Sequence, residues 1–598
     1  MNYLKKIISL LTFSERKHAF LLLIMIFISA LLDTLGVASI LPFVTVLSNP
    51  DIIENNIILS KMFNASKVFG VENNQTFLFA LGVFVFALLV VSLIIKAVTL
   101  YLEVRFSQMQ EYNIGKRLVE GYLHQPYSWF LNRNTADFGK TILSEVNQVV
   151  GFGLTSLISL IAKGVLTIAL IILLILTNPK LTLIIGLSLC LSYGLIFIFV
   201  RKYLKRIGDV RLKNNELRYN AVIEAFSAVK EIKFGGLEQI FIKRFSNPAQ
   251  TYARKHASAS IVGQLPRFGL EIVAFGGIML ILLYLMEQTG NFRDTLPIIS
   301  LYAFATYRLM PAVQQIYSSI SLITFVGPSL DNLHNEIKNL KSLDVNQSEG
   351  VFLFNKKISL NNIYYNYPDS SRKALNDINI EIQAKTTVGI VGVTGSGKTT
   401  IVDIILGLLE AQKGNLEVDG KIITKKNNRS WQRLIGYVPQ QIYLSDDTIA
   451  ANIAFGLHSK DINQEAIDKA SKIANLHDFV VNELPKQYNT TIGERGVRLS
   501  GGQRQRIGIA RALYHNPQVL ILDEATNALD NQTEQAVMDA VNSLRKDITI
   551  ILIAHRINTV KKCDNLFLIE AGKIKRQGTF EHLLQFEDSF RVNTLNIK

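Results

Sequence analysis

The sequence predicts two domains of different class. Residues 1–330 read as an all-α membrane domain of six helices with long cytoplasmic helical extensions, residues 331–350 as a polar linker, and residues 351–598 as an α/β domain. Three observations carry this. The 598 residues exceed what one hydrophobic core organises. Hydrophobic residues make up 49% of the chain and are concentrated before residue 330, with a mean hydropathy of +0.24 overall. After that point short β-rich runs alternate with helical ones.

Met1–Ser14 lacks a cleavable leader pattern, since no small-residue cleavage site precedes soluble sequence. Lys5 and Lys6 beside Ile7, Ile8, Leu10 and Leu11 fit a short helix lying on the membrane; a disordered tail is the alternative. Six segments then reach the ~20 residues that a hydrocarbon core requires: 19–47, 76–101, 152–177, 181–200, 268–286 and 295–325. Asn178-Pro179-Lys180 joins the third and fourth as a tight hairpin. Pro297 and Pro311 are expected to break or bend the sixth and make room for a cavity.

Orientation follows from basic residues. Residues 201–257 hold thirteen Lys and Arg, whereas 48–75 holds Lys61 and Lys67 alone. The longer segment therefore faces the cytoplasm, together with both termini. The net charge of +15 is read the same way, as loops facing an anionic inner leaflet and not as a nucleic-acid surface. The expected setting is a membrane with an anionic cytoplasmic leaflet. Segments 102–151 and 201–257 contain few helix breakers and extend the spans inward. Each has a turn near its middle, at Gln125-Pro126-Tyr127 and Gly235-Gly236. These elbows are candidates for coupling to the second domain; ordinary surface hairpins are the bland alternative.

Asp33, Lys96, Lys163, Arg267, Glu271 and Arg308 interrupt the spans. A charge at the bilayer centre costs at least ~2.5 kcal/mol, so it faces a cavity or a partner. Arg267 and Glu271 are one helical turn apart and can neutralise each other. Lys96, Lys163 and Arg308 have no partner nearby in sequence. Lys96 can also snorkel to the inner surface.

The second domain carries the chemistry. Gly392-Val393-Thr394-Gly395-Ser396-Gly397-Lys398-Thr399, followed by Thr400, matches the P-loop pattern between a strand-like run (387–391) and a helical one (401–409). The glycines let backbone N–H groups close on phosphate oxygens at a helix start. Lys398 is placed to reach the β- and γ-phosphates of ATP, and Thr399 to ligate Mg²⁺. The run 519–524 is a buried strand ending in Asp523, a second Mg²⁺ ligand, and Glu524, which polarises the attacking water. Leu499-Ser500-Gly501-Gly502-Gln503 builds another phosphate-binding helix start, from adjacent glycines and a hydroxyl.

LSGGQ directly ahead of an acid-ending strand resembles the signature of ABC ATPases. In that family the signature of one subunit closes over ATP held by the P-loop of another. The resemblance assigns further roles: Tyr367 stacks on adenine, Gln440 senses Mg²⁺, Asp530 lies in the D-loop beside Asn527, and His555 contacts the γ-phosphate. Gln441 follows Gln440, so the motif leaves a one-residue ambiguity. Thr491–Gly496 resembles the exporter loop that meets the elbows. With Glu524 and His555 both present, the domain is expected to hydrolyse ATP. One P-loop and one signature per chain imply a homodimer with two composite sites.

The layout resembles ABC half-exporters over nearly the whole chain. Ile40–Val44, Gln264–Phe268 and Tyr307–Pro311 resemble bacterial lipid-linked oligosaccharide flippases. That resemblance implies a polyprenyl-pyrophosphate head group, for which Lys96, Arg267 and Arg308 are the candidate cationic partners along the substrate path. A lipid A or phospholipid flippase would also use basic residues, and multidrug or peptide export is the remaining alternative.

Overall fold

In the computed structural model, residues 2–586 are described apart from 68–69, 178, most of 270–291, 341–351, 369–371, 494–495, 526–528, 545–546 and 555–556. The chain forms two compact units. One comprises Met1–Gln125 and Arg133–Ser342; the other comprises Pro126–Asn132 and Leu343–Lys598.

The first unit is helical. α1 (Asn2–Leu10) precedes α2 (Phe13–Ala38), which starts on a capping box in which Thr12 and Glu15 satisfy each other's backbone N–H groups. α3 (Ile40–Ser48) continues that span. α4 (Asn74–Leu123) has 50 residues and therefore extends ~75 Å, far more than a ~30 Å hydrocarbon core. A four-residue helix, α5 (Tyr127–Phe130), follows the first elbow and belongs to the second unit. α6 (Thr155–Thr177) and the 49-residue α7 (Pro179–Ser227) come next. α8 (Val229–Gly235) ends at Gly236, which adopts the left-handed conformation that closes a helix at the second elbow, and α9 (Glu238–Gln264) returns. The last helix of the unit is α10 (Phe292–Asn339).

Among the described residues, four helices are long and apolar enough to cross a membrane: Phe13–Ser48, Asn74–Leu123, Thr135–Thr177 and Ile299–Asn339. The six expected spans are thus matched by four. The expected span 181–200 falls within α7, and 268–286 lies largely outside the described residues. Two further expectations are corrected. α10 runs through Pro297, Pro311 and Pro328 without ending. Leu301, Tyr302, Ala305, Leu309 and Ala312 are buried along one side, and this packing holds the helix across each missing N–H. The same helix reaches Asn339, so residues 331–339 are helix and not linker; Leu330 and Leu333 continue its buried stripe. The N-terminal segment is helical as α1, with Leu4 and Ile8 exposed. Ile7 and Leu10 are buried, Lys6 pairs with Asp331 at 2.6 Å, and Ser9 hydrogen-bonds His334 at 3.0 Å.

The second unit contains two sheets. β1 (Lys357–Tyr365), β2 (Leu375–Gln383), β4 (Lys413–Val418) and β5 (Lys421–Ile422) form an antiparallel sheet in the order β2-β1-β4-β5. β3 (Thr387–Gly392), β6 (Ile435–Val438), β7 (Val519–Asp523), β8 (Thr549–Ile553), β9 (Asn565–Glu570) and β10 (Lys573–Gly578) form the other, in the order β10-β9-β3-β8-β7-β6. β10 alone is antiparallel to its neighbour. β7 and β8 are buried at every position, as expected of parallel strands covered on both faces. The carboxyl ends of β3 and β7, with β8 between them, carry the P-loop and the acid pair, at the edge where open α/β sheets bind ligands.

Candidate nucleotide site and intramembrane charge cluster

β3 ends at Gly392, and the loop 393–397 turns into α11 (Lys398–Ile405). A Cβ at Gly392 would stand 2.2 Å from the Ile569 carbonyl oxygen. Gly395 and Gly397 have φ of +75° and +110°, where side chains are strained. The loop thus reads as a cradle with room for phosphate oxygens at a helix start. The Ser396 Oγ is buried with no hydrogen-bond partner among the described residues. Lys398 is buried, and its Nζ donates to the carbonyls of Gly392 at 2.8 Å and Val393 at 3.1 Å. Burial lowers its pKa, and the nearby Glu524 and Asp523 oppose that shift. This donor set fits a triphosphate: backbone cradle, orphan hydroxyl and cation.

Asp523 is buried at the end of β7, and Glu524 follows with φ +51°, a conformation rare for a residue with a side chain. The Glu524 N–H donates to the Ile553 carbonyl at 3.0 Å. Gln440 Nε2 donates to Glu524 Oε2 at 2.7 Å, so it is Gln440 whose amide reaches the acid pair. Burial raises the pKa of Tyr437, and the neighbouring Asp523 adds to the shift. Asp403 was not singled out by motif. It is buried on α11 close to the Asp523 charge, and burial first, then that charge, pushes its pKa up to about 6.

The remaining nucleotide-site candidates fall as follows. Tyr367 hydrogen-bonds Thr400 Oγ1 at 3.0 Å and packs edge-on to Tyr365, so its ring is held against the P-loop helix. Thr399, Val393 and Thr394 are exposed. Leu499 is buried ahead of α12 (Gly501–Tyr514). Ser500 Oγ accepts the Gln503 N–H at 3.2 Å, and Gln503 Oε1 accepts the Ser500 N–H at 2.8 Å. Gly501 and Gly502 occupy the first turn, whose N–H groups have no partner inside the helix. Asp530 caps the next helix by accepting the Thr533 N–H at 3.0 Å, which holds its carboxyl below the usual range. Asn527 and His555 lie outside the described residues.

In the membrane half the charges converge. Lys96 on α4 pairs with Asp33 on α2 at 3.1 Å, and Ser92, one turn earlier on α4, donates to the other carboxylate oxygen at 3.0 Å. Arg308 on α10 approaches that oxygen at 3.8 Å. The Asp33 side chain is 5% exposed, against 38% for Lys96 and 25% for Arg308. Lys163 on α6 lies within electrostatic reach of Asp33, Lys96, Arg308 and Glu103. Lys96 and Arg308, which have no partner nearby in sequence, thus share one carboxylate from a third helix. Arg267 stands apart, pairing at 3.0 Å with Glu271, four residues along the chain.

Residues 11–310 match the family model for the ABC transporter transmembrane region, and residues 375–527 match the family model described as ABC transporter. The chain belongs to the ABC transporter family. It is 30% identical over 476 residues to an ATP-dependent lipid A-core flippase of Cupriavidus metallidurans, which covers 78% of each chain. The same description applies to a relative from Wigglesworthia glossinidia brevipalpis, 31% identical over 79% of this chain and 81% of that one. The leukotoxin export ATP-binding protein LtxB of Aggregatibacter actinomycetemcomitans is 30% identical over 79% of this chain and 66% of its own. A solved bacterial Atm1-family ABC exporter with ATP bound shares the fold, with a TM-score of 0.78 over 97% of this chain and 98% of that one, at 21% identity. This ABC transporter is thus a half-exporter: one transmembrane region followed by one ATPase domain that hydrolyses ATP to drive export.

Proposed function

We infer that this ABC transporter is a flippase for a lipid with a phosphorylated saccharide head group, moved from the inner to the outer leaflet of a bacterial inner membrane by a homodimer. The observation that carries this reading is the convergence of Lys96, Arg308 and Lys163 around Asp33. Cations at this depth are costly unless they serve a path or a partner. Here three bases meet two acids, Asp33 and Glu103, which leaves one net positive charge, and Lys96 and Arg308 remain partly exposed. A neutral drug has no use for that surplus; a phosphate or pyrophosphate does.

A polyprenyl-pyrophosphate-linked oligosaccharide is the substrate we favour, with Lys96 and Arg308 on the phosphates and Arg267, the most exposed base of the three, nearer the entrance. The lipid A-core flippases among the relatives favour a second reading, a phosphorylated lipid A-type glycolipid. LtxB, equally similar but described as a leukotoxin exporter, is why identity near 30% does not choose between them.

On the nucleotide side, Lys398 and the 392–397 backbone hold the phosphates, and Tyr367 bears on the adenine. Glu524, oriented by Gln440, takes a proton from the attacking water. Mg²⁺ held by Thr399, Gln440 and Asp523 supplies neutralisation of phosphate charge when bound. Gly501, Gly502 and Ser500 of a second copy close the site, and His555 reaches the γ-phosphate. The elbows at residues 125–127 and 235–236 pass the resulting motion to the helices.

Vesicles containing the purified chain, a fluorescent polyprenyl-pyrophosphate saccharide or a lipid A precursor, and internal ATP test the substrate. The expected result is ATP-dependent movement of one of the two, lost in Arg308→Ala/Lys96→Ala. Equal movement of a neutral glycolipid, or no loss in that variant, contradicts the reading.

A further inference from the structure

We propose that Arg511 is a positioning residue for ATP hydrolysis: its guanidinium ties the segment that follows Gln440 to the signature helix and so holds Gln440 against Glu524. The inference deepens the hydrolysis step above and rests on that reading of Gln440, whose Nε2 donates to Glu524 at 2.7 Å.

Arg511 lies near the end of α12, the helix that starts on the Ser500 cap. Its Nε donates to the Asn452 carbonyl at 2.7 Å, its Nη1 to the Tyr443 carbonyl at 2.8 Å, and its Nη2 to Asn452 Oδ1 at 3.3 Å. Tyr443 is the third residue after Gln440. Asn452 is itself buried and closes the chain between them into a loop. Its Nδ2 donates to the carbonyls of Ser445 and Thr448, both at 3.0 Å, and its Oδ1 accepts the Ser445 N–H at 3.0 Å. The guanidinium also stands 4.6 Å from the centre of the Phe455 ring. Among the described residues no carboxylate pairs with it, so its charge is spent on this loop.

The same segment approaches the helix elsewhere. A Cβ at Gly508 of α12 would come 2.4 Å from Ile442 Cδ1, and one at Gly436 of β6 would come 2.3 Å from the Ala512 carbonyl oxygen. Leu444, Ile449 and Ile453 share a core with Ile507, Ala510 and Leu513. These apolar contacts keep the segment on the helix, but hydrophobic attraction has no direction and leaves it free to slide. A planar fork whose donors point in fixed directions sets the register. A shift of about 1 Å at a group that orients a catalytic base costs up to ~100-fold in rate. The P-loop hangs from β3 and α11, and none of the Arg511 contacts reaches it. Losing the fork therefore impairs turnover and spares nucleotide binding.

The test uses the full chain in phosphatidylcholine vesicles. Arg511→Met keeps the stem and removes every donor, whereas Arg511→Lys keeps one cationic donor and loses the fork. The kcat for ATP is expected to fall on the order of tenfold in Arg511→Met and by less in Arg511→Lys. KM, and the binding of a fluorescent ATP analogue, should stay within about twofold of the natural chain, which also shows that the variants fold. A double-mutant cycle with Gln440→Ala decides the route. Because Arg511 acts through Gln440, adding Arg511→Met to Gln440→Ala should lower kcat by less than about twofold further. A combined loss equal to the product of the two single losses overturns the proposal. So does an unchanged kcat in Arg511→Met, or analogue binding lost in both Arg511 variants. A natural kcat in Gln440→Ala overturns the reading of Gln440 together with the proposal.

Discussion

At the scale of single residues the nucleotide site rests on a few contacts that can be broken one at a time. Gln440 donates to Glu524 at 2.7 Å, and Glu524 is held at a strained φ of +51°. A residue kept in such a conformation is over-determined by its surroundings, here by the Ile553 carbonyl and the end of β7. Glu524→Gln preserves shape and removes the base. Phosphate release should fall by roughly 100-fold or more, while ATP binding, followed with a fluorescent analogue, stays intact. Asp403 gives a pH-dependent prediction. Folding lifts its pKa from 3.8 to about 6, so the folded chain holds that proton more tightly than the unfolded chain. This contribution stabilises the fold at low pH and fades as pH rises through about 6, where a charged Asp403 faces a charged Asp523. Asp403→Asn should therefore raise the midpoint of thermal unfolding at pH 8 more than at pH 5. The sequence showed why Lys398, Asp523 and Ser500 matter, because their roles follow from local pattern. It showed nothing of Asp403, whose significance lies in a neighbour 120 residues away. The same holds for Asp33: its charge was visible at once, but its partners come from α4 and α10, and spacing along the chain cannot reveal them.

At the scale of elements, close approach sets the constraints. Gly208 on α7 lies so near α10 that a Cβ would come 2.2 Å from the Phe325 carbonyl oxygen. Backbone cannot yield as a side chain can, so Gly208→Ala should force the helices apart at a cost of about 1–3 kcal/mol. A lowered unfolding midpoint in detergent checks this, and an unchanged midpoint refutes the packing described. A second tie lies nearby: Arg211 on α7 is fully buried, pairs with Glu145 at 2.9 Å and hydrogen-bonds Ser329 of α10. Breaking one partner of such a pair leaves a buried charge, which costs several kcal/mol. In the ATPase domain, Gly392→Ala should abolish ATP binding, since the loop cannot close with a Cβ against Ile569. The long helices were legible from the scarcity of breakers between 102 and 151 and between 201 and 257. The prolines of α10 misled, because a proline's local penalty is fixed by sequence whereas the packing that offsets it is not. The same limit applies to the helical end of α10, where polar residues 331–339 conceal a buried stripe at Leu330 and Leu333.

At the scale of the whole molecule, one chain holds one P-loop and one signature helix, and our account makes two copies the working unit. ATP then bridges Lys398 of one protomer and Ser500 of the other, and hydrolysis releases the bridge. Disulfide trapping tests this most directly. Cysteines are placed at Thr394 in the P-loop and Gly502 in the signature, in a chain whose native Cys190 and Cys563 are replaced by serine and whose Glu524 is changed to glutamine so that bound ATP persists. Our account predicts that ATP speeds oxidative cross-linking and that the product runs at twice the 67.0 kDa of the single chain. Cross-links confined to single chains, or a double-mass product formed equally fast without nucleotide, would contradict it.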